Sequence, residues 1–215
     1  MSTPGIAVIA DIVGSRSLDD RPAAQRAIDD AVLRVEADLP LATRPLLPTV
    51  GDELQGTYAT LPDAMASLLL LRLALPDGIE CRYGIGVGEL GEVPSRAGAL
   101  AEGPGWWAAR AAIDDLHALQ ARTVPGARTL IAAAADLEGE HVSIGLANAY
   151  LLARDELVSD MTGRTRRLAY GRLRGATQRE LAAAEGITQS AVSQALAAAG
   201  AGALVEGFRR LRPAG

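Results

Sequence analysis

The sequence contains no lysine, and its 215 residues include a single cysteine and two histidines. With Cys81 alone, one chain can form neither an internal disulfide nor a cysteine-rich zinc site, and this cysteine usage fits a reducing cytoplasm. All 21 basic residues are arginine, which we take as a compositional bias of the source and not as a functional signal.

Long hydrophobic runs are also scarce. Residues 1–14 include an apolar stretch, but Asp11 interrupts it, and it lacks the basic start and the small-residue cleavage pattern of a signal peptide. The most apolar later run, residues 64–75, contains Arg72 and is far shorter than the ~20 residues of a membrane span. We therefore expect a cytoplasmic protein without a membrane partner, in which residues 64–75 form a core helix.

The remaining composition is that of an ordinary globular chain, with 49% apolar residues, 22% charged residues and a net charge of −5. Residues 161–215, however, contain nine arginines and three acids, so they carry +6 while residues 1–160 carry −11. The basic end is where a polyanion would bind. We expect a domain over residues 1–145, a linker helix over 146–162 and a small helical domain over 163–215.

Hydrophobic periodicity predicts a mixture of strands and helices in the first domain. A hairpin between two helices favours an α+β fold with an antiparallel or mixed sheet over a regular βαβ array. The predicted elements are a strand at 5–10, a helix at about 18–38 capped by Ser17, a hairpin at 46–58, a helix at 61–75, a strand at 79–90, a helix at 107–122, and weaker strands at 129–133 and 142–144.

Two aspartates stand at the ends of predicted strands. Asp11 follows the first strand and Asp52 lies in the hairpin turn. Two carboxylates that point the same way repel unless a divalent cation joins them, and Mg²⁺, or Mn²⁺ in its place, takes such ligands together with phosphate oxygens. The carbonyl of Ile12 is a further candidate ligand. A purely structural alternative remains open, in which Asp11 caps a turn and Asp52 is an ordinary turn residue.

Segments 10–15 (ADIVGS), 49–52 (TVGD) and 82–89 (RYGIGVGE) resemble, in order, segments of the catalytic domain of class III nucleotidyl cyclases. Segment 103–110 (GPGWWAAR) resembles the start of that family's last catalytic helix. The resemblance covers about residues 5–115 and implies a ferredoxin-like core, a divalent metal, a nucleotide ligand and a homodimer. The phosphate contacts would come from Gly14, Ser15, Arg16 and Arg110.

Two departures from the cyclase pattern argue against the standard cyclase activity. Trp106 stands where a cyclase carries an asparagine, and Leu46 where an adenylate cyclase carries its purine-selecting lysine. The chain more closely resembles the SatD family, in its DIVGSR start, its GDELQG hairpin with Leu54 at an aromatic position, and its Gly-Pro helix entry. That resemblance implies the fold of the chain, but it does not indicate which reaction, if any, the protein catalyses.

Other candidate sites are weaker. Segment 86–91 matches a dinucleotide-binding G-x-G-x-x-G, but no helix follows it. His117 and His141 have no matching acid or cysteine spacing, so we expect surface residues. Cys81 should be a small buried hydrophobe, and the pair Trp106 and Trp107 should place one ring inside and one at an interface.

Residues 177–196 (TQRELAAAEGITQSAVSQAL) are typical of a helix-turn-helix. Thr177 and Glu180 predict a capping box, Gly186 a turn, and Thr188 the start of a second helix. The segment resembles phage Cro-type repressors and the promoter-reading region of sigma factors. The alternative to a DNA-binding unit is an alanine-rich helical bundle that serves only oligomerisation. Base-facing residues would be Thr188, Gln189, Ser190, Ser193 and Gln194, and phosphate-facing residues Arg166, Arg167, Arg172, Arg174 and Arg179.

The expected function is a transcription regulator that binds double-stranded DNA and whose cyclase-like domain senses a nucleotide with a divalent metal. A homodimer is also expected because helix-turn-helix proteins usually read two half-sites. Two alternatives remain. One is a metal-dependent nucleotidyl cyclase or other phosphoryl-transfer enzyme, and the other is a degenerate cyclase fold that serves as a dimerisation scaffold.

Overall fold

The computed structural model describes residues 5–15, 18–49, 51–94, 100–135, 137 and 141–212. Within these ranges there are seven strands, namely β1 (Gly5–Ile12), β2 (Ala42–Pro48), β3 (Glu53–Tyr58), β4 (Cys81–Gly88), β5 (Gly91–Val93), β6 (Leu100–Glu102) and β7 (Thr129–Ala133). The helices of the same ranges are α1 (Arg21–Asp38), α2 (Leu61–Ala74), α3 (Pro104–Arg122), α4 (His141–Ser159), α5 (Gly163–Leu173), α6 (Gln178–Glu185), α7 (Gln189–Ala198) and α8 (Ala201–Leu211).

The main sheet has the order β2-β3-β1-β4-β7, and its described pairs are antiparallel except for the parallel pair β4–β7. Its first part runs β1-α1-β2-β3-α2-β4, with β1 in the middle, which is the ferredoxin-like arrangement. Strands β5 and β6 form a separate antiparallel hairpin. The predicted α+β class with a mixed sheet is confirmed.

The two faces of the sheet carry different helices because side chains alternate along each strand. In β1, Val8 and Ile12 pack into the core with α1 and α2, whereas Ala7 and Ile9 pack with residues of α3. A Cβ atom at Gly86 of β4 would lie 1.9 Å from the carbonyl oxygen of Gly105. Glycine at this position therefore lets α3 lie directly on β4.

Helix α2 is buried on all sides over residues 64–73. The sheet and α1 cover one side, and α5 and α8 cover the other. The expectation that residues 64–75 form a core helix is confirmed. No single described helix is long and apolar enough to cross a membrane, and α7 with α8 reach that length only when counted together across a 78° bend.

Two local predictions need correction. The predicted strand at 142–144 is wrong because these residues begin α4, in which Ile144, Leu151 and Val158 recur every seven residues and are buried. The N-cap of α1 is Asp20, whose Oδ1 accepts a hydrogen bond from the Ala23 amide at 2.8 Å. The expected cap, Ser17, lies outside the described residues.

Helix α4 packs against β7 and holds it through Asn148, whose amide bonds both the N–H and the carbonyl of Ile131 at 2.9 Å. The segment predicted as a linker helix therefore covers the edge of the sheet and contributes to the core. The core also continues from the sheet into α5 to α8. The division into two domains stays a prediction.

Candidate functional site

A cleft of about 570 Å³ opens at the end of β1. The β2–β3 turn, the start of β4 and the second half of α3 surround it. Its lining residues are Asp11, Ile12, Gly14, Ser15, Asp52, Arg82 and His117. The structure thus brings together the two predicted aspartates and most of the residues predicted beside them.

Asp11 lies on the α3 face of the sheet, between its cross-strand neighbours Glu53 and Arg82. Its Oδ2 atom is 3.1 Å from Nη1 of Arg82 and 3.1 Å from Nε2 of His117. Its side chain is 20% exposed, so the carboxylate stays reachable from the cleft. Arg82 therefore neutralises Asp11, and His117 is within hydrogen-bonding distance of the same oxygen.

Asp52 follows Gly51, whose φ of +72° is a left-handed conformation that glycine adopts without strain. A hydrogen bond with Ser15 lowers the pKa of Asp52, and the charge of Arg21 acts in the same direction, against burial. Asp52 therefore stays ionised at neutral pH, next to the carboxyl group of Asp11.

The other predicted ligands of this region differ in position. Ile12 lines the cleft, but its side chain belongs to the core on the opposite face, so its main chain is the part suited to a ligand. Gly14 has a φ of +65° and turns the chain at the cleft. Arg16, predicted as a phosphate contact, lies outside the described residues.

Arg110 lies on the same side of the sheet as Asp11 but is not among the residues that line the cleft. Its guanidinium forms an ion pair with Glu53, the cross-strand neighbour of Asp11. The structure thus joins Arg110 to Glu53, which follows Asp52 in the chain and neighbours Asp11 across the sheet.

Arg82 and His117 are cleft residues that sequence reasoning did not select as ligands, and His117 was expected to be an unrelated surface residue. A signal was present, since His117 follows Arg110 by seven residues, which is two turns on the same face of α3. Arg82 is also held by Gln120, which accepts from its Nε at 2.5 Å and donates to the carbonyl of Ala127 at 2.6 Å.

Asp11 and Asp52 are the cleft residues that could hold a divalent cation. The described residues hold no group of three or more His, Cys, Asp or Glu side chains that could bind a metal by themselves. Mg²⁺ commonly binds through one or two carboxylates and takes its remaining ligands from phosphates and water. Asp11 and Asp52 satisfy that requirement.

The single cysteine is buried as expected, and one ring of the tryptophan pair is buried while the other is exposed. Cys81 is buried in β4, and burial raises the pKa of its thiol to about 12, so it is unsuited to act as a nucleophile. Trp106, in the first turn of α3, is buried in a cluster with Ala7 and Ile9 of β1. Trp107 is 61% exposed and donates its Nε1 hydrogen to Glu102 at 2.8 Å.

Helices α6 and α7 begin and end where the sequence signals predict. Thr177 and Glu180 form the capping box, Gly186 ends α6 with a left-handed φ of +65°, and Thr188 caps α7. Val192 and Leu196 are buried, whereas the residues predicted to face bases are all exposed, namely Thr188, Gln189, Ser190, Ser193 and Gln194.

The arginines predicted to contact DNA phosphates are in different environments. Arg166 is 8% exposed and pairs with Asp77. The prediction that it contacts a DNA phosphate is therefore wrong, because its guanidinium is buried in an ion pair within the protein. Arg167 pairs with Glu185 and Arg174 with Asp38. The remaining two lie on the surface or near it, Arg179 exposed and Arg172 half-buried.

Among known structures, the chain is similar to adenylate cyclases from Trypanosoma brucei in their monomeric state, with 17% identity, a TM-score of 0.39, and coverage of 51% of this chain and 68% of that one. It is also similar to a bacterial light-regulated adenylyl cyclase, with 13% identity, a TM-score of 0.39, and coverage of 60% of this chain and 75% of that one. A third similar structure is the adenylyl cyclase CyaB from P. aeruginosa, with 14% identity, a TM-score of 0.36, and coverage of 50% of this chain and 69% of that one.

No curated protein has a significantly similar sequence. The model of the SatD family matches residues 5–205, which is nearly the whole chain and includes both the aspartate cleft and helices α5 to α7. The motifs at the end of β1, in the β2–β3 hairpin and at the start of α3 pointed to the same family. This chain belongs to the SatD family.

Proposed function

We propose that this protein binds a nucleotide together with a divalent cation in the cleft at the end of β1. The observation that carries the proposal is that Asp11 and Asp52, which are 41 positions apart in the chain, line the same cleft. Both carboxylates would hold Mg²⁺ or Mn²⁺, with the main chain of Ile12 as a further ligand. When bound, the cation would neutralise the carboxylates and polarise phosphate oxygens.

The surrounding side chains have separate roles in this proposal. Ser15 orients Asp52 through its hydrogen bond, and Arg82 gives the cleft a positive charge next to Asp11. A phosphate chain carries several negative charges, so the guanidinium of Arg82 and a cation bound by the aspartates would both attract it. Arg110 would reach the same ligand from α3 if its ion pair with Glu53 opened.

The test is a calorimetric titration of the full chain with ATP and with GTP, each with and without Mn²⁺. Asp11→Asn and Asp52→Asn should each lose Mn²⁺-dependent nucleotide binding, remain folded and change the unfolding free energy by no more than about 1 kcal/mol. Asp30→Asn is the matched control, because Asp30 is an exposed aspartate of α1 far from the lining residues. Unchanged binding in both cleft variants would end this proposal.

The second part of the proposed function is recognition of duplex DNA by α6 and α7. The observation that supports it is that α7 buries Val192 and Leu196 and leaves Gln189, Ser190 and Gln194 exposed. Short polar side chains on the first turns of such a helix can read base edges in the major groove. Residues 161–215 carry +6, and the ion pairs of three of their arginines with acids of residues 1–160 still leave +3, which supports a polyanionic partner.

Anisotropy titrations of the full chain with labelled duplexes over a range of salt concentrations test this second part. Replacement of Gln189 by Ala should relax the preference at particular base pairs and cost roughly 1–3 kcal/mol at the preferred site. Replacement of Arg179 by Gln should weaken binding to every duplex about equally. If the protein binds no duplex even at low salt, the second part is wrong.

Together the two parts describe a regulator in which a nucleotide-binding domain and a DNA-binding unit share one core through α2. Measurement of DNA affinity with and without ATP and Mn²⁺ would show whether the two ligands are coupled. A phosphoryl-transfer enzyme is the second candidate, favoured by the position of Arg110 next to Glu53 and Asp11. Incubation with ATP, GTP and Mn²⁺, followed by product analysis, separates the enzyme from the regulator.

The expected homodimer is also a proposal. Its support is an exposed apolar surface formed by Val93, Leu100 and Trp107, in which Val93 and Leu100 are paired across the β5–β6 hairpin. Sedimentation of the wild type and of Trp107→Glu tests it, and the variant should shift toward monomer. If this dimer forms without nucleotide binding or DNA binding, the scaffold alternative is favoured.

A further inference from the structure

A groove of about 340 Å³ runs beside the outer face of α7. One wall is formed by the end of α5 and the start of α6, the other wall by α8, and the floor by the second half of α7. The polar residues that line it are Arg172, Gln178, Ser193, Glu206 and Arg209. Four helices that are consecutive in the chain therefore contribute to one basic groove.

The lining residues of the groove carry a net positive charge, because two arginines, Arg172 and Arg209, line it together with one acid. Glu206 is the one acid among its lining residues, and its carboxylate accepts a hydrogen bond from Arg210 at 2.8 Å. Arg209 forms a longer ion pair with the same carboxylate, at 3.8 Å, and its side chain is 66% exposed, so two arginines share one acid. Arg172 donates to the carbonyl of Ala176, which fixes its guanidinium next to the start of α6.

The shape of the groove admits a small anionic group. Gly202 forms part of the α8 wall, and a Cβ atom added there would meet nothing within 4 Å. Gln178 and Ser193 add an amide and a hydroxyl, which are neutral donors for anionic oxygens. Ser193 lines this groove, whereas Gln189, Ser190 and Gln194 do not. Among the exposed polar side chains at the start of α7, Ser193 therefore lies in a different environment from the other three.

We infer that this groove binds a phosphodiester group of duplex DNA, with Arg172 and Arg209 as its charged contacts and Gln178 and Ser193 as its neutral donors. The inference rests on the DNA-binding part of the proposed function. The partner is a nucleic-acid backbone because the groove lies directly beside the exposed polar residues of α7, and phosphate contacts position a reading helix on the duplex. Ser193 is then a backbone contact, and the reading of bases falls to Gln189, Ser190 and Gln194.

The test compares Arg209→Gln with Arg210→Gln in the full chain. Both variants remove one exposed arginine of α8, but only Arg209 lines the groove, so they are matched in charge and position along the helix. Affinity is measured by anisotropy on a set of labelled 20-base-pair duplexes between 50 and 200 mM KCl. The slope of log K against log salt should fall by ~0.9 for Arg209→Gln. Arg210→Gln frees the carboxylate of Glu206 and so lowers the affinity, but it should keep the wild-type slope because no phosphate contact is lost.

Ser193→Ala supplies the second measurement. It should weaken binding to all duplexes by the same factor, while Gln189→Ala changes the ranking of the duplexes. Equal salt slopes for the Arg209 and Arg210 variants, or a changed ranking for Ser193→Ala, would overturn the groove assignment and leave DNA binding intact. If the wild type binds no duplex, both the DNA-binding proposal and the groove assignment are overturned.

Discussion

Asp11 and Arg82 are cross-strand partners in the antiparallel pair β1–β4, and the carboxylate Oδ2 lies 3.1 Å from Nη1 of the guanidinium. Gln120 of α3 holds the other side of the guanidinium through its Nε atom. A helix on one face of the sheet thus orients an arginine that neutralises the aspartate at the end of the central strand. A cation that binds Asp11 must compete with this ion pair.

Arg82→Gln should strengthen the binding of Mn²⁺ alone, because Asp11 then loses a competing partner. We expect an increase of up to about fivefold, since a partly exposed ion pair is worth ~0.2–1 kcal/mol. Electron paramagnetic resonance of free Mn²⁺ measures the affinity directly. Arg44→Gln is the control, because Arg44 pairs with Glu92 away from the cleft. Weaker Mn²⁺ binding in the Arg82 variant would contradict the competition.

Asp155→Ala should destabilise the fold by about 3–5 kcal/mol, since it leaves buried arginines without their counter-charge. Asp155 is fully buried in α4, and its carboxylate accepts hydrogen bonds at 2.7 Å from Arg72, Arg154 and the Arg128 amide. Urea unfolding followed by circular dichroism gives the free energy. The exposed control Asp30→Asn should change it by less than about 0.5 kcal/mol.

Gly86→Ala should destabilise the protein by at least ~1–3 kcal/mol, because the new methyl group would overlap the backbone of Gly105 and force α3 away from the sheet. Gly145→Ala is the matched control in α4, where an added Cβ atom meets nothing within 4 Å. That change should stabilise the helix by ~0.5–1 kcal/mol. Thermal unfolding of the two variants should therefore shift in opposite directions.

The capping box of α6 should make stability depend on pH. Glu180 accepts hydrogen bonds from the backbone N–H of Thr177 at 2.7 Å and from its hydroxyl at 2.9 Å, and these bonds lower the pKa of Glu180. A carboxyl whose pKa is lower in the folded state adds stability above its unfolded pKa and loses it as the pH falls through the folded pKa. The difference in unfolding free energy between the wild type and Glu180→Ala should therefore be full at pH 7 and shrink below about pH 4.5. A difference that grows toward acid pH would contradict this reading.

The features that the sequence signals predicted correctly depend on residues close together in the chain. Continuous apolar runs predicted β1 and α2, alternation predicted β4, the three- and four-residue spacing predicted α1, and the Thr177–Glu180 pair predicted the cap of α6. These signals work because periodicity and capping act within about four positions. The error at residues 142–144 has the same origin, since three residues are too few to distinguish a strand from the first turn of a helix.

The sequence by itself determined the order of most elements, the two aspartates at strand ends and the membership of the SatD family. Only the tertiary structure decided that Asp11 meets Arg82 and His117, which are 71 and 106 positions away in the chain. It also decided that Arg166 is buried against Asp77 and that Arg209 shares a groove with Ser193. The physical reason is that these contacts depend on the register of the sheet and on where α3, α5 and α8 pack, and such long-range geometry has no local signature in the sequence.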